Sequence, residues 1–208
     1  MKFRILLCCA LFLIVACDND VATDETNTVD MPTQSTALQV PRFDRDTAYQ
    51  FIARQLSFGP RVVNSEGHQQ TKSWLVEKMK SFGATVIEQD FQAKAFTGET
   101  LNGTNIIAQY NPGVQNRILL AAHWDTRPFA DSPLSTERRD EPILGADDGA
   151  SGVAVLMEVA RQIQANPLDL GIDIIFFDAE DYGESKEEYA SEAEQMASIN
   201  SYGLGSQH

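Results

Sequence analysis

The chain has 208 residues, and its 16 basic and 30 acidic side chains give a net charge of −14. All three cysteines lie within the first 17 residues, so the rest of the chain has no disulfide scaffold, no cysteine-ligated metal and no cysteine nucleophile. The acidic balance, with no basic run longer than Arg138-Arg139, argues against nucleic acid as a partner.

Residues 1–16 have the pattern of an export signal, because a basic start precedes an apolar run that is too short to span a bilayer. The run ends in the sequence IVAC at Cys17, which resembles a bacterial lipobox. We therefore expect a lipid on Cys17 and a place in the bacterial cell envelope, periplasmic or on the outer face, with this anchor as the only membrane contact. The alternative is an ordinary secretory signal.

Residues 17–41 are rich in Asp, Thr, Asn and Gln and show no hydrophobic periodicity, which predicts a disordered tether. The folded domain is expected over residues 42–208. The predicted helices run from Asp46 or Thr47 to Ser57, from Glu66 to Phe82 and from Ala150 to Gln164; the predicted strands run from Ala84 to Phe91, Thr104 to Tyr110, Arg117 to Ala122 and Ile172 to Phe177. Residues 182–201 are polar and predict a surface loop or a solvated helix. The alternation of helices and strands predicts an α/β sheet with helices on both faces.

Polar clusters adjoin three of these elements. His123-Trp124-Asp125 and the segment from Asp178 to Asp181 each follow an apolar strand, and Asp147-Asp148 precedes a helix. Sites in open α/β sheets form at the carboxyl ends of strands, so these clusters are expected to meet. Each cluster alone also has a simpler explanation. His123 would then be a core or surface histidine with its hydrogen bonds made, the segment from Asp178 to Asp181 a solvated turn, and Asp147-Asp148 a helix cap.

The convergence of one histidine with several carboxylates favours a metal site, because the carboxylates would otherwise repel one another. Within an extended segment, residues i and i+2 point the same way, so His123 and Asp125 share a face. Mixed nitrogen and oxygen ligands suit zinc, and an open coordination position would make such a site catalytic.

Three motifs of the chain, AAHWDTRPFAD, PILGADDGASGVAVLMEVAR and LGIDIIFFDAEDYG, closely resemble those of bacterial glutaminyl-peptide cyclotransferases (glutaminyl cyclases). These enzymes belong to the zinc aminopeptidase superfamily, and the resemblance covers about Phe43 to His208. It implies a three-layer α/β/α fold with a mixed, mostly parallel sheet that is incomplete at the C-terminus.

The same resemblance implies roles for individual residues. Asp148 and Asp181 would be zinc ligands, and Glu180 would be the general acid/base. His123 would bind metal only in a two-metal site, and Asp125 would orient it. The expected cofactor is therefore zinc, as one ion or two. Asp181 departs from the pattern, since many relatives have the longer glutamate there.

The implied reaction is the cyclisation of an N-terminal glutamine of a peptide with release of ammonia. The first alternative is an aminopeptidase that hydrolyses N-terminal residues; in both cases the partner is a peptide with a free N-terminus. The family also takes a further histidine ligand from later segments, so a C-terminally truncated chain, inactive or only a binding module, is the second alternative. The spare histidines are predicted to be a surface residue, His68, and an accidental chain end, His208.

Overall fold

The computed structural model describes residues 40–184, 186 and 188–208, so the predicted signal peptide, Cys17 and nearly all of the predicted tether lie outside the described residues. The helices are α1 (Arg45–Leu56), α2 (Glu66–Ser81), α3 (Ala150–Ala165), α4 (Glu192–Ile199) and a short 3-10 turn at Gly205–Gln207. The strands are β1 (Thr85–Lys94), β2 (Thr100–Tyr110), β3 (Arg117–His123) and β4 (Gly171–Phe177). None of the helices in this part of the chain combines the length and apolarity that a membrane crossing requires.

The helix starts follow the capping chemistry of their first residues. Asp44 caps α1, because its side chain accepts hydrogen bonds from the backbone N–H groups of Asp46 and Thr47. Helix α1 therefore begins at Arg45, before both residues predicted as its start. Ser65 caps α2 in the same way through the N–H of His68.

Helix α3 begins at Ala150, and its N-cap residue, Gly149, has a φ of 88° and provides no side-chain hydrogen bond. A Cβ at this glycine would lie 2.8 Å from the carbonyl oxygen of Asp125 and 3.1 Å from the His123 ring, so the close approach requires glycine. Asp148 is thus not used as a cap, and its carboxylate is free for other contacts.

The four strands form one sheet in the order β1-β2-β4-β3. The predicted mixed α/β sheet is confirmed, but the balance of pairings differs from the mostly parallel one expected. β1–β2 and β2–β4 are antiparallel, and β3–β4 is the parallel pair among the described strands. The reason is connectivity: the short turn at residues 95–99 folds β1 and β2 into a hairpin, whereas β3 reaches β4 through the crossover helix α3.

Helices α1, α2 and α3 share one hydrophobic core with a single face of the sheet. Strand β4 contributes Ile172, Ile174 and Phe176 to this core, and β3 contributes Leu120. Successive strand residues point to opposite faces, and Leu119 on the other face is 60% exposed. These three helices therefore lie on one face of the sheet, whereas the sequence pattern predicted helices on both faces.

A second, smaller core lies under the segment that follows β4. Its buried members are Val63, Phe91, Ala95, Leu101, Ala179, Tyr182 and Leu204. The Tyr182 hydroxyl donates to the carbonyl of Val63 at 3.3 Å. This packing fixes the backbone on both sides of Glu180 and Asp181 against the body of the domain.

Candidate active site

The ends of β3 and β4 bring two of the predicted polar clusters together. The strands are parallel neighbours in which His123 pairs with Phe177, and the N–H of Trp124 donates to the Phe177 carbonyl at 2.9 Å. The side chains that follow the two strands therefore meet at one edge of the sheet, as the carboxyl-end rule predicts. The loop before α3 adds Asp148 to the same place.

Buried Asp125 contacts both segments that meet at this edge of the sheet. It is fully buried, and its two carboxylate oxygens accept the backbone N–H groups of Glu180 at 3.0 Å and Asp181 at 3.1 Å. Its Oδ1 atom also lies 3.4 Å from Nδ1 of His123, an ion-pair distance at which that nitrogen makes no hydrogen bond. Asp125 thus contacts both the histidine that it was predicted to orient and the turn of the predicted general acid/base.

His123 lies among acidic groups. Its Nε2 atom is 2.9 Å from Oδ1 of Asp148, and its Nδ1 atom is 3.7 Å from Oε2 of Glu180. Burial disfavours the protonated ring, but the adjacent Asp125 carboxylate, together with the charges of Glu180 and Asp148, outweighs it and raises the pKa of His123 to about 9. The raised pKa favours the protonated ring, whose charge would neutralise part of the cluster in the absence of metal.

Glu180 stands at the mouth of the site. Its side chain is 43% exposed. Burial raises the pKa of this carboxyl, the His123 charge opposes the rise, and Asp125 and Asp148 reinforce it. A reachable carboxylate with a raised pKa has the properties of a general acid/base.

The turn that carries Glu180 is held on its other side by a three-bond ladder. The N–H groups of Gly203, Leu204 and Gly205 donate to the carbonyls of Glu180, Ala179 and Asp178, respectively. Ala179 has a φ of 50°, a left-handed conformation that costs energy for a residue with a side chain. The ladder and the contacts from Asp125 together maintain this backbone shape.

Asp181 is nearly buried, and its Oδ2 atom has no hydrogen-bond partner among the described residues. Burial raises the pKa of Asp181 to about 6; Arg127 opposes the rise, and Asp148, Asp125 and Glu180 add to it. Arg127 donates to both the backbone oxygen and Oδ1 of Asp181. The orphaned oxygen is therefore available as a ligand atom beside the acidic side chains of Asp148 and Glu180.

The sequence analysis missed Arg61, which is fully buried behind the site. Its guanidinium donates to three backbone carbonyls, those of Trp124 at 2.8 Å, Leu144 at 2.8 Å and Gly145 at 2.7 Å. Burial lowers the pKa of Arg61 to about 10, and the charges of Asp125 and Asp148 act in the opposite direction. Arg61 thus joins the end of β3 to the loop that carries Asp148.

His68 was predicted to be a surface residue, and the structure corrects this. The residue is 3% exposed, and its Nε2 atom lies 2.8 Å from Oδ2 and 3.0 Å from Oδ1 of Asp178. The first turn of α2 faces the sheet, which is why a polar residue there is covered. The other spare histidine, His208, stacks on Phe91 with ring centroids 4.7 Å apart.

The fit of these residues to a zinc ion depends on their donor atoms and on their charge. Among residues 40–184, 186 and 188–208, no three His, Cys, Asp or Glu side chains are grouped closely enough to hold a metal. The donor types nevertheless suit zinc, because Asp181 offers an unpaired buried oxygen and the carboxylate charges are only partly neutralised by His123. The residues fit a divalent cation by chemistry and charge, without a preassembled set of ligands.

Comparison with solved structures gives relatives of two reaction types. The glutaminyl cyclase of Tannerella forsythia is 45% identical, with a TM-score of 0.72 over 80% of this chain and 55% of that chain. A leucine aminopeptidase precursor from Bacteroides thetaiotaomicron is 44% identical, with a TM-score of 0.75 over 81% of this chain and 56% of that chain. The glutaminyl-peptide cyclotransferase of Drosophila melanogaster is 28% identical over 127 residues, which are 59% of this chain and 33% of that protein.

The chain therefore spans just over half the length of these solved structures and a third of the fly protein. A family model supplies the remaining comparison. Residues 105–208, which carry all the predicted catalytic and metal-binding residues, match peptidase family M28. With the site at the strand ends and the mixed sheet beneath it, the chain belongs to peptidase family M28.

Proposed function

We propose that the protein is a zinc-dependent enzyme that converts the N-terminal glutamine of peptides to pyroglutamate and releases ammonia. The observation that carries the proposal is the placement of Glu180: a half-exposed carboxylate with a raised pKa, on a turn fixed by buried Asp125, beside His123 and Asp148. Membership of family M28 and 45% identity to a glutaminyl cyclase support it.

In this proposal Glu180 moves one proton. The α-amine nitrogen forms a bond to the side-chain carbonyl carbon of the same glutamine, and Glu180 accepts the proton that the amine loses. The bond from that carbon to the amide nitrogen then breaks, and Glu180 returns the proton to the departing nitrogen. The products are a five-membered lactam and NH₃, so atoms and charge balance.

Zinc, when bound, would polarise the carbonyl that is attacked. Asp148 and Asp181 would hold it, and His123 would join them only if a second ion binds. Arg127 would keep Asp181 in place through its contacts with both the backbone and the carboxylate of that residue. Asp125 would hold the N–H groups of Glu180 and Asp181 while the proton moves.

A second candidate is hydrolysis of the first peptide bond by an aminopeptidase. The 44% identity to a leucine aminopeptidase precursor favours it. Glu180 would then accept a proton from the attacking water and pass it to the new amino terminus, so the same residue serves both reactions.

Paired substrates distinguish the candidates. The purified protein is incubated with zinc and two peptides that differ only in beginning with glutamine or leucine, and ammonia and free amino acids are measured. Ammonia from the first peptide without chain cleavage supports the cyclase; released leucine or glutamine supports the aminopeptidase. If neither product forms and the protein binds no zinc, the chain is inactive or a binding module and both proposals are wrong.

We also propose that Cys17 carries a lipid and holds the protein in the bacterial cell envelope. The support is the apolar run ending in IVAC and the polar segment that follows it. Expression in a bacterium with radiolabelled palmitate should label the wild-type protein and not Cys17→Ser. Equal labelling of both would contradict the proposal.

A further inference from the structure

The buried contact between His68 and Asp178 joins α2 to the start of the turn that carries Glu180. The side chains are 4% and 0% exposed. The His68 Nε2 atom lies within hydrogen-bond distance of both carboxylate oxygens. A polar pair so deep in a domain must be fully bonded or it destabilises the fold.

Asp178 uses its remaining acceptor sites on the neighbouring backbone. Its Oδ2 atom accepts the N–H of Thr104 at 2.7 Å, and its Oδ1 atom accepts the N–H of Ala179 at 2.8 Å. Its own N–H donates to the side chain of Asn105 at 3.0 Å. One carboxylate thus binds helix α2, strand β2 and the first residue of the turn.

Trp124 fixes the ring of His68 from one side. The two rings are stacked with centroids 4.3 Å apart and an interplanar angle of 15°. Trp124 is itself fully buried, and its indole N–H donates to the carbonyl of Thr104 at 3.2 Å. The stacking fixes the plane of the imidazole, in which Nε2 is directed at Asp178.

The turn needs such fixing because its backbone is unfavourable. Ala179 adopts a left-handed conformation, with φ of 50°, directly after Asp178. Strained residues persist only when their surroundings over-determine them. The carboxylate that accepts the Ala179 N–H is held in place by His68 and by the N–H of Thr104, and His68 is the side chain that contacts both of its oxygens.

We propose that His68 is a positioning residue: through Asp178 it fixes the Ala179–Asp181 turn and thereby the placement of Glu180 and Asp181. The roles of those two residues in the reaction rest on the proposed function, whereas the anchoring of the turn does not. The His68 side chain makes its hydrogen bonds to Asp178 and none to Glu180 or Asp181.

Two variants separate the hydrogen bond from the packing of the ring. His68→Phe keeps an aromatic ring to stack on Trp124 but has no donor for Asp178. His68→Gln loses the ring and keeps an N–H donor at about the reach of Nε2. Leu75→Ala is the matched control, because Leu75 is fully buried on the same side of α2 and its truncation weakens the core without touching Asp178.

Hydrogen–deuterium exchange at the amides of Ala179, Glu180 and Asp181 is the primary measurement, since it reports local opening in any folded protein. We expect His68→Phe to raise exchange there about tenfold more than Leu75→Ala does, and His68→Gln to restore most of the protection. Zinc affinity, measured by competition with a chelator, should fall about 10- to 100-fold in His68→Phe. If turnover is present, kcat should fall with KM within twofold.

Exchange at the turn that is unchanged in His68→Phe, or no greater than in Leu75→Ala, would overturn the proposal. Should His68→Phe fail to fold, His68→Gln decides: exchange as fast as in a folded His68→Ala would mean that the donor is irrelevant. A wild-type protein that shows neither zinc binding nor turnover would disprove the proposed function while leaving the exchange comparison valid.

Discussion

Two histidine–aspartate pairs adjoin Trp124, and they differ in how completely they are bonded. In the inner pair, His68 and Asp178 are covered, and the carboxylate accepts two backbone N–H groups besides the ring. In the outer pair, the His123 side chain is 20% exposed, lies 3.4 Å from Asp125 and contacts further acidic groups. Both carboxylates therefore fix backbone, since Asp125 accepts the N–H groups of Glu180 and Asp181, but the outer histidine is the more exposed one and has further acidic groups around it.

The difference shows that the exposure and the acidic surroundings of the histidine, rather than residue type, separate a positioning pair from a candidate reactive one. Asp125 has features of both pairs: it is as buried as Asp178, and it faces the partly exposed His123. Replacing the members of the two pairs, and Glu180, should therefore lower activity, stability or zinc affinity to different extents.

The largest effect is expected at Glu180, which neither pair can replace. Glu180→Gln should lower kcat by about 10²- to 10⁴-fold, because the amide cannot accept the proton, while the melting temperature stays near that of the wild type. Turnover of a Gln-initiated peptide and thermal unfolding measure the two effects. Glu77→Gln, an exposed change on α2, is the control; kcat within threefold of wild type in Glu180→Gln would show that another group carries the proton.

The next largest effect concerns the inner pair and the stability of the fold. His68→Ala should lower the free energy of unfolding by about 3–5 kcal/mol at pH 7, because it leaves the Asp178 carboxylate buried without its partner. Urea unfolding measures the change. Gln69→Ala, on the exposed side of the same turn, should change stability by less than about 0.5 kcal/mol. Equal values for the two variants would mean that the inner pair contributes nothing.

A smaller effect is expected when the outer pair loses its buried member. Asp125→Asn should weaken zinc binding by about 10- to 100-fold, since it removes the charge that faces His123 and one acceptor of the turn that carries Asp181. Isothermal titration with zinc tests this, with exposed Asp46→Asn as the control. An unchanged affinity would show that Asp125 serves the fold alone.

The smallest expected effect is a change of stability with pH that comes from His123 of the outer pair. The pKa of His123 is raised to about 9, so its stabilising charge is fully present below its unfolded pKa of about 6.5 and is lost as the pH rises through about 9. In chelator-treated protein the free energy of unfolding should fall over this window, with a slope below about 1.4 kcal/mol per pH unit because one proton is involved. His123→Gln should flatten the profile; a profile as steep as that of wild type would assign the proton elsewhere.

The meeting of His123, Asp125 and Glu180 was predictable because it follows from strand ends, and strands were visible as apolar runs. The burial of His68 was also predictable from the helical spacing. His68 lies three residues before Thr71 and so extends the buried stripe of Thr71, Leu75 and Met79 by one turn. No sequence pattern indicates the role of Arg61, because its hydrogen-bond partners are backbone carbonyls, which every sequence contains.

The pairing of the strands was only partly predictable. The short interval between β1 and β2 contains Gly98 with φ of 86°, a hairpin signal that favours an antiparallel pair. The antiparallel pairing of β2 with β4 joins strands that are far apart in the chain, so no local pattern specifies it. Likewise, which face of the sheet a helix covers depends on packing across the whole domain.

The ladder between residues 203–205 and the turn after β4 has a consequence for the order of events during synthesis. Every predicted catalytic or metal-binding residue leaves the ribosome before Gly203 does, and yet the turn lacks three backbone hydrogen bonds until that segment arrives. The strands can pair beforehand, as nascent chains fold from the N-terminus. The candidate site is therefore among the last parts of the described chain to acquire all of its hydrogen bonds, although its side chains are made earlier.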